Sequence, residues 1–355
     1  MLRAPEFPTS IPRGYSPQFS GSIVAMAGRR ARFNMRNIHT LALVCGMALG
    51  AGMTSAREGA AQQSAPASAS SSADAQWRQQ VLDWRTARER ELSAPDGWLT
   101  LVGLDWLKTG VNSFGSAADC NLRLHAQAPD HIGLLTVSGK IVQLLSPAGG
   151  FPAGLTVDGA PAREGPLTIE GPKPSTIAWH GLAMVVLDRG GRYALRVKDA
   201  DSPTRTQFKG LNWYAPDARF RVVAQWTPFH PPTVERIPTV LGTTLDMPSP
   251  GVASFTLDGK PYKLQPVIES GDEGKLFFIL RDLTSQTTTY GAGRFLHTAL
   301  PDHGVDQPGE LVLDFNQLYN PPCAYTPYAT CPLPPEQNRL QVEIPAGEER
   351  YTQDH

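Results

Sequence analysis

Leu311–Leu340 reads LVLDFNQLYNPPCAYTPYATCPLPPEQNRL. It opens as a strand: Leu311, Leu313 and Phe315 alternate with Val312, Asp314 and Asn316, the two-residue period of a half-buried β-segment. It then runs through six prolines and two cysteines. Proline fixes φ and removes an N–H donor, so this second part is expected to be a rigid loop and not helix or sheet interior.

The chain upstream repeats the first half of that pattern. Arg192–Lys198, Arg219–Trp226 and Glu310–Asn316 alternate apolar and polar residues, and Leu276–Leu280 is continuously apolar. Shorter apolar runs between Trp98 and Glu170 are separated by Gly, Pro and Asp, with Ser138-Gly139 and Asp158-Gly159 as hairpin signals. Further strands are expected at Thr287–Tyr290, Arg294–His297 and Gln341–Ile344. Crossover helices of 10–15 residues are missing between these runs, which argues against a parallel α/β sheet. The content of 33 Gly and 32 Pro in 355 residues fits a turn-rich β fold better than a helical bundle.

One segment has helical spacing. Trp77, Val81, Trp84 and Arg88 recur on one face, which predicts a helix from Gln76 to about Leu92 with Asp74 as N-cap and Pro95-Asp96-Gly97 as its stop. Arg85, Arg88, Glu89, Arg90 and Glu91 are expected on its exposed side.

Before that helix the sequence reads as targeting. From Met35, MRNIHTLALVCGMALGAGMTSA has a basic start, a short apolar run and small residues at Thr54-Ser55-Ala56, the layout of a secretory signal. The expected organisation is an unstructured or misassigned start at 1–34, a signal peptide at 35–56 and a disordered Ala/Ser linker at 57–75. A helix at 76–97, a β-sandwich at 98–172 and a second β domain at 173–355 follow. The protein is thus expected to be periplasmic or extracellular, with no membrane span in its mature chain. In such an oxidising compartment Cys323 and Cys331, with Pro327 between them as a turn, are expected to form a disulfide, leaving Cys120 as a buried free thiol. A net charge of −1 gives no electrostatic reason for nucleic acid as a partner.

Two family resemblances follow. VNSFGSAADCNLRLHAQAPDHIGLL with LTVDGAPAREG loosely resembles the forkhead-associated sandwich, which implies that shape for the first β region. Such modules bind phosphothreonine through an Arg after the Gly and a nearby Ser. Here Ser116 follows Gly115 and Ala128 stands at the Ser position, so only His131 matches and the activity is not expected. Over nearly the whole mature chain, DGWLTLVGLDWLKTG, RGGRYALRVKD, TYGAGRFL, the Leu311–Leu340 motif and the Ala346-Gly347-Glu348 triplet are similar to a bacterial family of unknown function, number 1684. That resemblance implies no activity.

Known signatures for zinc proteases, nucleotide loops, dinucleotide folds and serine hydrolases are lacking in the sequence, and no metal or cofactor is expected. Two constellations remain. Asp314, Asn316, Tyr319 and Asn320 could share a cleft, where a carboxylate beside amides and a phenol binds a hydroxylated ligand or acts as a base; equally, they could hydrogen-bond the backbone of the Pro-rich loop. Arg192, Arg196, Arg219, Arg221, Arg281 and Arg294 could form an anion site, or could pair with Asp188, Asp199, Asp217 and Asp282. Arg196 and Arg294 are expected to line one pocket with Asp314, Gly291 and Gly293 allowing close approach. The resulting expectation is an exported cell-envelope protein that binds a small polar or anionic ligand in its second β domain. The alternative is a hydrolase using Asp314 or His297. Its oligomeric state is left open.

Overall fold

The computed structural model describes residues 67–169, 171 and 173–351. The expected signal peptide, the start before it and the expected linker as far as 66 lie outside these residues. The fold is mainly β, with an N-terminal helix and several antiparallel sheets, and among the described residues no sheet closes into a barrel. Among the described residues no helix is long and apolar enough to cross a membrane.

Helix α1 spans Ala67–Leu92, starting well before the expected Gln76. Residues 67–75, expected as linker, are its first turns. Alanine is the best helix former, so an Ala-rich lead continues a helix whose later turns are held by packing.

The first β region contains β1 (Leu101–Trp106), β2 (Gly110–Gly115), β3 (Leu122–Arg123), β4 (Gly133–Ser138), β5 (Ile141–Leu145), β6 (Thr156–Val157), β7 (Ala160–Pro161), β8 (Gly165–Pro166), β9 (Thr176–Trp179), β10 (Leu182–Asp188) and β11 (Tyr193–Asp199). They form two sheets, β1-β11-β10-β9-β6-β7 and β3-β2-β4-β5-β8. Inward residues of both, among them Phe114, Leu135 and Leu144 from one and Ile177, Met184 and Leu195 from the other, share a single core. The pairing of β1 with β11 carries this sandwich to Asp199, past the expected boundary at 172. At Asp158-Gly159 both residues have positive φ, 53° and 81°, the hairpin turn that joins β6 to β7.

The second β region contains β12 (Arg221–Pro238), β13 (Thr244–Leu257), β14 (Lys260–Leu264), β15 (Lys275–Leu280), β16 (Arg294–Ala299) and β17 (Gly309–Asp314). A four-stranded sheet, β14-β13-β12-β17, faces the β15–β16 pair. The unbroken apolar run of β15 is explained by burial on both faces. Leu276, Phe278 and Leu280 enter the core against the four-stranded sheet, while Phe277 and Ile279 enter a second core with Leu101, Ile237 and Cys331. Thr287–Tyr290 and Gln341–Ile344, expected as strands, are irregular.

Candidate functional site

The buried stripe of α1 is Trp77, Val81, Arg85, Arg88 and Leu92, at helical spacing. Two of these are arginines that the sequence pattern placed in solvent, yet they are only 7% and 9% exposed. Arg85 lies 4.9 Å over the Trp213 ring and Arg88 4.5 Å over Tyr319. Each also donates to a main-chain carbonyl of the motif after β17, Arg85 to Asn316 O at 3.4 Å and Arg88 to Asn320 O at 3.2 Å. A guanidinium can be buried in this way because its flat face meets an aromatic ring while its edge meets carbonyls. Burial lowers the Arg85 pKa, opposed by the charge of Asp314.

The motif itself is a clasp. Asp314 Oδ2 accepts the Trp77 indole N–H at 2.7 Å, and Oδ1 accepts both the main-chain and side-chain N–H of Asn316. Asn316 exchanges hydrogen bonds with the main chain of Asp217. The Asn320 main-chain and side-chain N–H groups donate to Glu348, which also accepts the Tyr325 hydroxyl. Burial raises the Glu348 carboxyl to about 7 against these hydrogen bonds and the nearby Arg88 charge. The structure therefore gives Asp314, Asn316 and Asn320 the backbone-holding role.

The expected pocket does not form. Arg294 is 1% exposed and paired with Asp282 at 3.0 Å, and it donates to the carbonyls of Ile344, Ala346 and Glu348. Gly293, at φ 107°, admits Pro334 and not a ligand: a Cβ there would stand 2.5 Å from the proline ring. Arg196 lies elsewhere, 5.4 Å over the Trp98 ring, and its pKa is lowered to about 10 by burial and by the neighbouring Arg189 charge. Of the other basic residues, Arg219 pairs with Asp217, Arg221 sits 3.8 Å from Asp314, Arg192 covers the Trp106 ring and Arg281 donates to Ser285. The expected disulfide is absent. Cys323 and Cys331 are free thiols, and the turn at Pro322–Ala324 aims the Cys323 main-chain N–H at the Cys331 sulfur, 3.2 Å away.

Two open clefts are each lined by residues of both α1 and β16. One, of about 510 Å³, is lined by Trp77, Arg221, Glu310 and Asp314 among others; the second, of about 750 Å³, by Trp84, Arg88, Glu269 and Tyr319. His297, Thr298, Ala299 and Gln317 line both. His297 stacks on Phe277 at 4.6 Å, with Nε2 2.8 Å from Glu269 and Nδ1 2.9 Å from the Tyr319 hydroxyl. The Glu269 carboxylate faces Nε2 and the Tyr319 hydroxyl faces Nδ1, and burial pushes the pKa of that phenol up. Both ring nitrogens are thus engaged, as are both oxygens of Asp314, and neither group stands as an unoccupied base. Of the expected site residues, Asp314 and Arg221 reach the first cleft, Tyr319 the second and His297 both. Sequence reasoning did not find Glu269. It lies 28 positions from His297, and the two meet because Phe277 of β15 pairs with Val267 on one side and with His297 on the other.

A family model described as "Protein of unknown function (DUF1684)" matches residues 206–349. An uncharacterized protein of Haloarcula marismortui, solved by NMR in solution, is 33% identical over 42% of this chain and 80% of its own, with a TM-score of 0.36. The chain belongs to the DUF1684 family. The DUF1684 match holds Asp282, Arg294, His297, the clasp and Glu348, while two of the motifs that carried the wider resemblance, at 96–110 and 189–199, lie before it. The FhaA FHA domain, solved in complex with the intracellular domain of another protein, is 19% identical over 27% of this chain and 97% of its own, with a TM-score of 0.19. No curated protein matches the chain.

Proposed function

We propose that this DUF1684 protein is an exported cell-envelope protein that binds a small polar ligand, neutral or cationic, in the paired clefts around His297. The carrying observation is the charge of their lining. Asp302, Glu310 and Asp314 line one cleft and Glu91, Glu269 and Asp272 the other, against Arg221, Arg88 and Lys275. Lys275 is paired with Asp272, and Arg88 is buried under α1. An excess of carboxylates repels an anion, which narrows the polar-or-anionic class expected from sequence. Trp84 and Tyr319 add apolar ring faces, and the mixture of few polar groups with aromatic walls suits a small hydroxylated or amine-bearing compound. Export is supported by the secretory-signal layout of Met35–Ala56.

A thermal-shift screen of sugars, polyols, amines and organic acids tests the ligand class. Binding to the folded state alone at about 100 times Kd stabilises by about 2.7 kcal/mol. Neutral or cationic compounds should raise Tm, and Glu269→Gln should remove the shift. A response confined to anions, or hits untouched by both Glu269→Gln and Asp302→Asn, would overturn the reading. N-terminal sequencing of protein from the periplasmic fraction tests export: a mature terminus close to Arg57 is expected, and full-length cytoplasmic protein would exclude it.

A further inference from the structure

Away from these clefts, at one end of the first sandwich, Asp119, Cys120 and His131 each offer a ligand atom, and these atoms all lie within 4.8 Å of one another. The Cys120 sulfur is 3.5 Å from His131 Nδ1. Asp119 is exposed, with its carboxylate 3.8 Å from His131 Nε2. We propose that these three side chains form a binding site for a thiophilic divalent cation, zinc, with Cys120 Sγ, His131 Nδ1 and the Asp119 carboxylate as ligands and the fourth position open to water.

The distances fit the ion. In tetrahedral zinc, bonds of about 2.3 Å to sulfur and about 2.0 Å to nitrogen set the two ligand atoms about 3.5 Å apart. The Cys120–His131 separation already has that value. Asp119 is on the surface, so its side chain can rotate to close the third edge.

The framework beneath is rigid. Ser116 N–H donates to Pro129 O, Ala117 N–H to Asp130 O, and Ile132 N–H to Phe114 O, zipping the two loops together. Gly115 lets them approach this closely: a Cβ there would fall 2.1 Å from Asp130 O. A site held by main-chain hydrogen bonds needs little reorganisation to bind.

The electrostatics separate this reading from a cysteine nucleophile, which the same three residue types could also suggest. The Asp119 carboxylate, beside the same His131 ring as the Cys120 sulfur, puts negative charge where a nucleophilic cysteine needs a positive one. The same negative surroundings attract a cation, and coordination displaces the thiol proton directly. No sequence signal marks the cluster, because an adjacent Asp-Cys pair and a His eleven positions on match no familiar ligand spacing.

The test uses the full mature chain, with Zn²⁺ and, as a spectroscopic probe, Co²⁺. Zn²⁺ should slow alkylation of Cys120, mapped by peptide mass spectrometry so that Cys323 and Cys331 are read separately. Co²⁺ should give a thiolate-to-metal charge-transfer band that is lost in Cys120→Ser. His131→Gln, which keeps the sulfur, should abolish the protection, and Asp119→Asn, which replaces a charged ligand oxygen by a neutral amide, should weaken it. The proposal is overturned if Zn²⁺ leaves Cys120 alkylation unchanged in the wild type, or if the cobalt band persists in both Cys120→Ser and His131→Gln.

Discussion

Trp77 and Asp314, 237 positions apart, are joined by a 2.7 Å hydrogen bond from the indole N–H to a buried carboxylate oxygen. Trp77→Phe keeps the ring and removes the donor, leaving Asp314 Oδ2 with only Arg221 Nε, 3.8 Å away. An unsatisfied buried acceptor costs about 1–3 kcal/mol. Urea denaturation should show a loss of that size with an unchanged slope, and a neutral result would mean that the bond is fully replaced by water.

The Arg294–Asp282 pair should behave as a buried ion pair. Arg294→Met leaves a buried carboxylate uncompensated and frees the carbonyls of Ile344, Ala346 and Glu348; a loss on the order of 3–5 kcal/mol is expected. Adding Asp282→Asn should recover part of it. The coupling in a double-mutant cycle measures the pair, and strict additivity would contradict the contact.

Glu348 should make stability pH-dependent. Its pKa is raised from 4.5 to about 7, so the fold keeps this proton where the unfolded chain has released it. The unfolded state therefore binds fewer protons across that window, and stability falls as pH rises from about 4.5 to about 7 before levelling. The wild type should lose roughly 3 kcal/mol relative to Glu348→Gln over this range. Parallel denaturation curves for the two proteins at pH 4.5, 6 and 8 check the sign.

Gly293→Ala should destabilise by more than about 1 kcal/mol. Its φ of 107° is disfavoured for any residue with a Cβ, and the added carbon would meet Pro334 and Leu280 O. Calorimetry should show a lowered Tm. If Gly291→Ala, where the nearest atom to an added Cβ is 3.8 Å away, costs as much, the packing account of Gly293 fails.

The parts of this fold that could be read from sequence are those set by local period. The alternation in β11, β12 and β17 and the hairpin at Asp158-Gly159 follow from residues within a few positions of one another. The errors came from distant partners. Arg85 and Arg88 look like solvent residues until carbonyls more than 230 positions away are placed beneath them. Gln341–Ile344 has the composition of a strand, yet Arg294 takes the Ile344 carbonyl and Asp282 the Ile344 N–H, so no neighbouring strand is needed to satisfy them. In the candidate site, Asp314 and Tyr319 were recognisable as unusual residues, but their division between two clefts depends on where α1 lies.

Synthesis runs in the opposite order to the docking of α1. The helix is made early in the chain, whereas Asp314, Asn316 and Asn320, which receive Trp77, Arg85 and Arg88, are added after almost all of the β-strands exist. Until those residues are made, Trp77, Arg85 and Arg88 lack the acceptors that hold them, although the Trp213 ring beneath Arg85 already exists. A chain cut short before Asp314 lacks all three acceptors, so α1 cannot dock in it as it does in the complete fold.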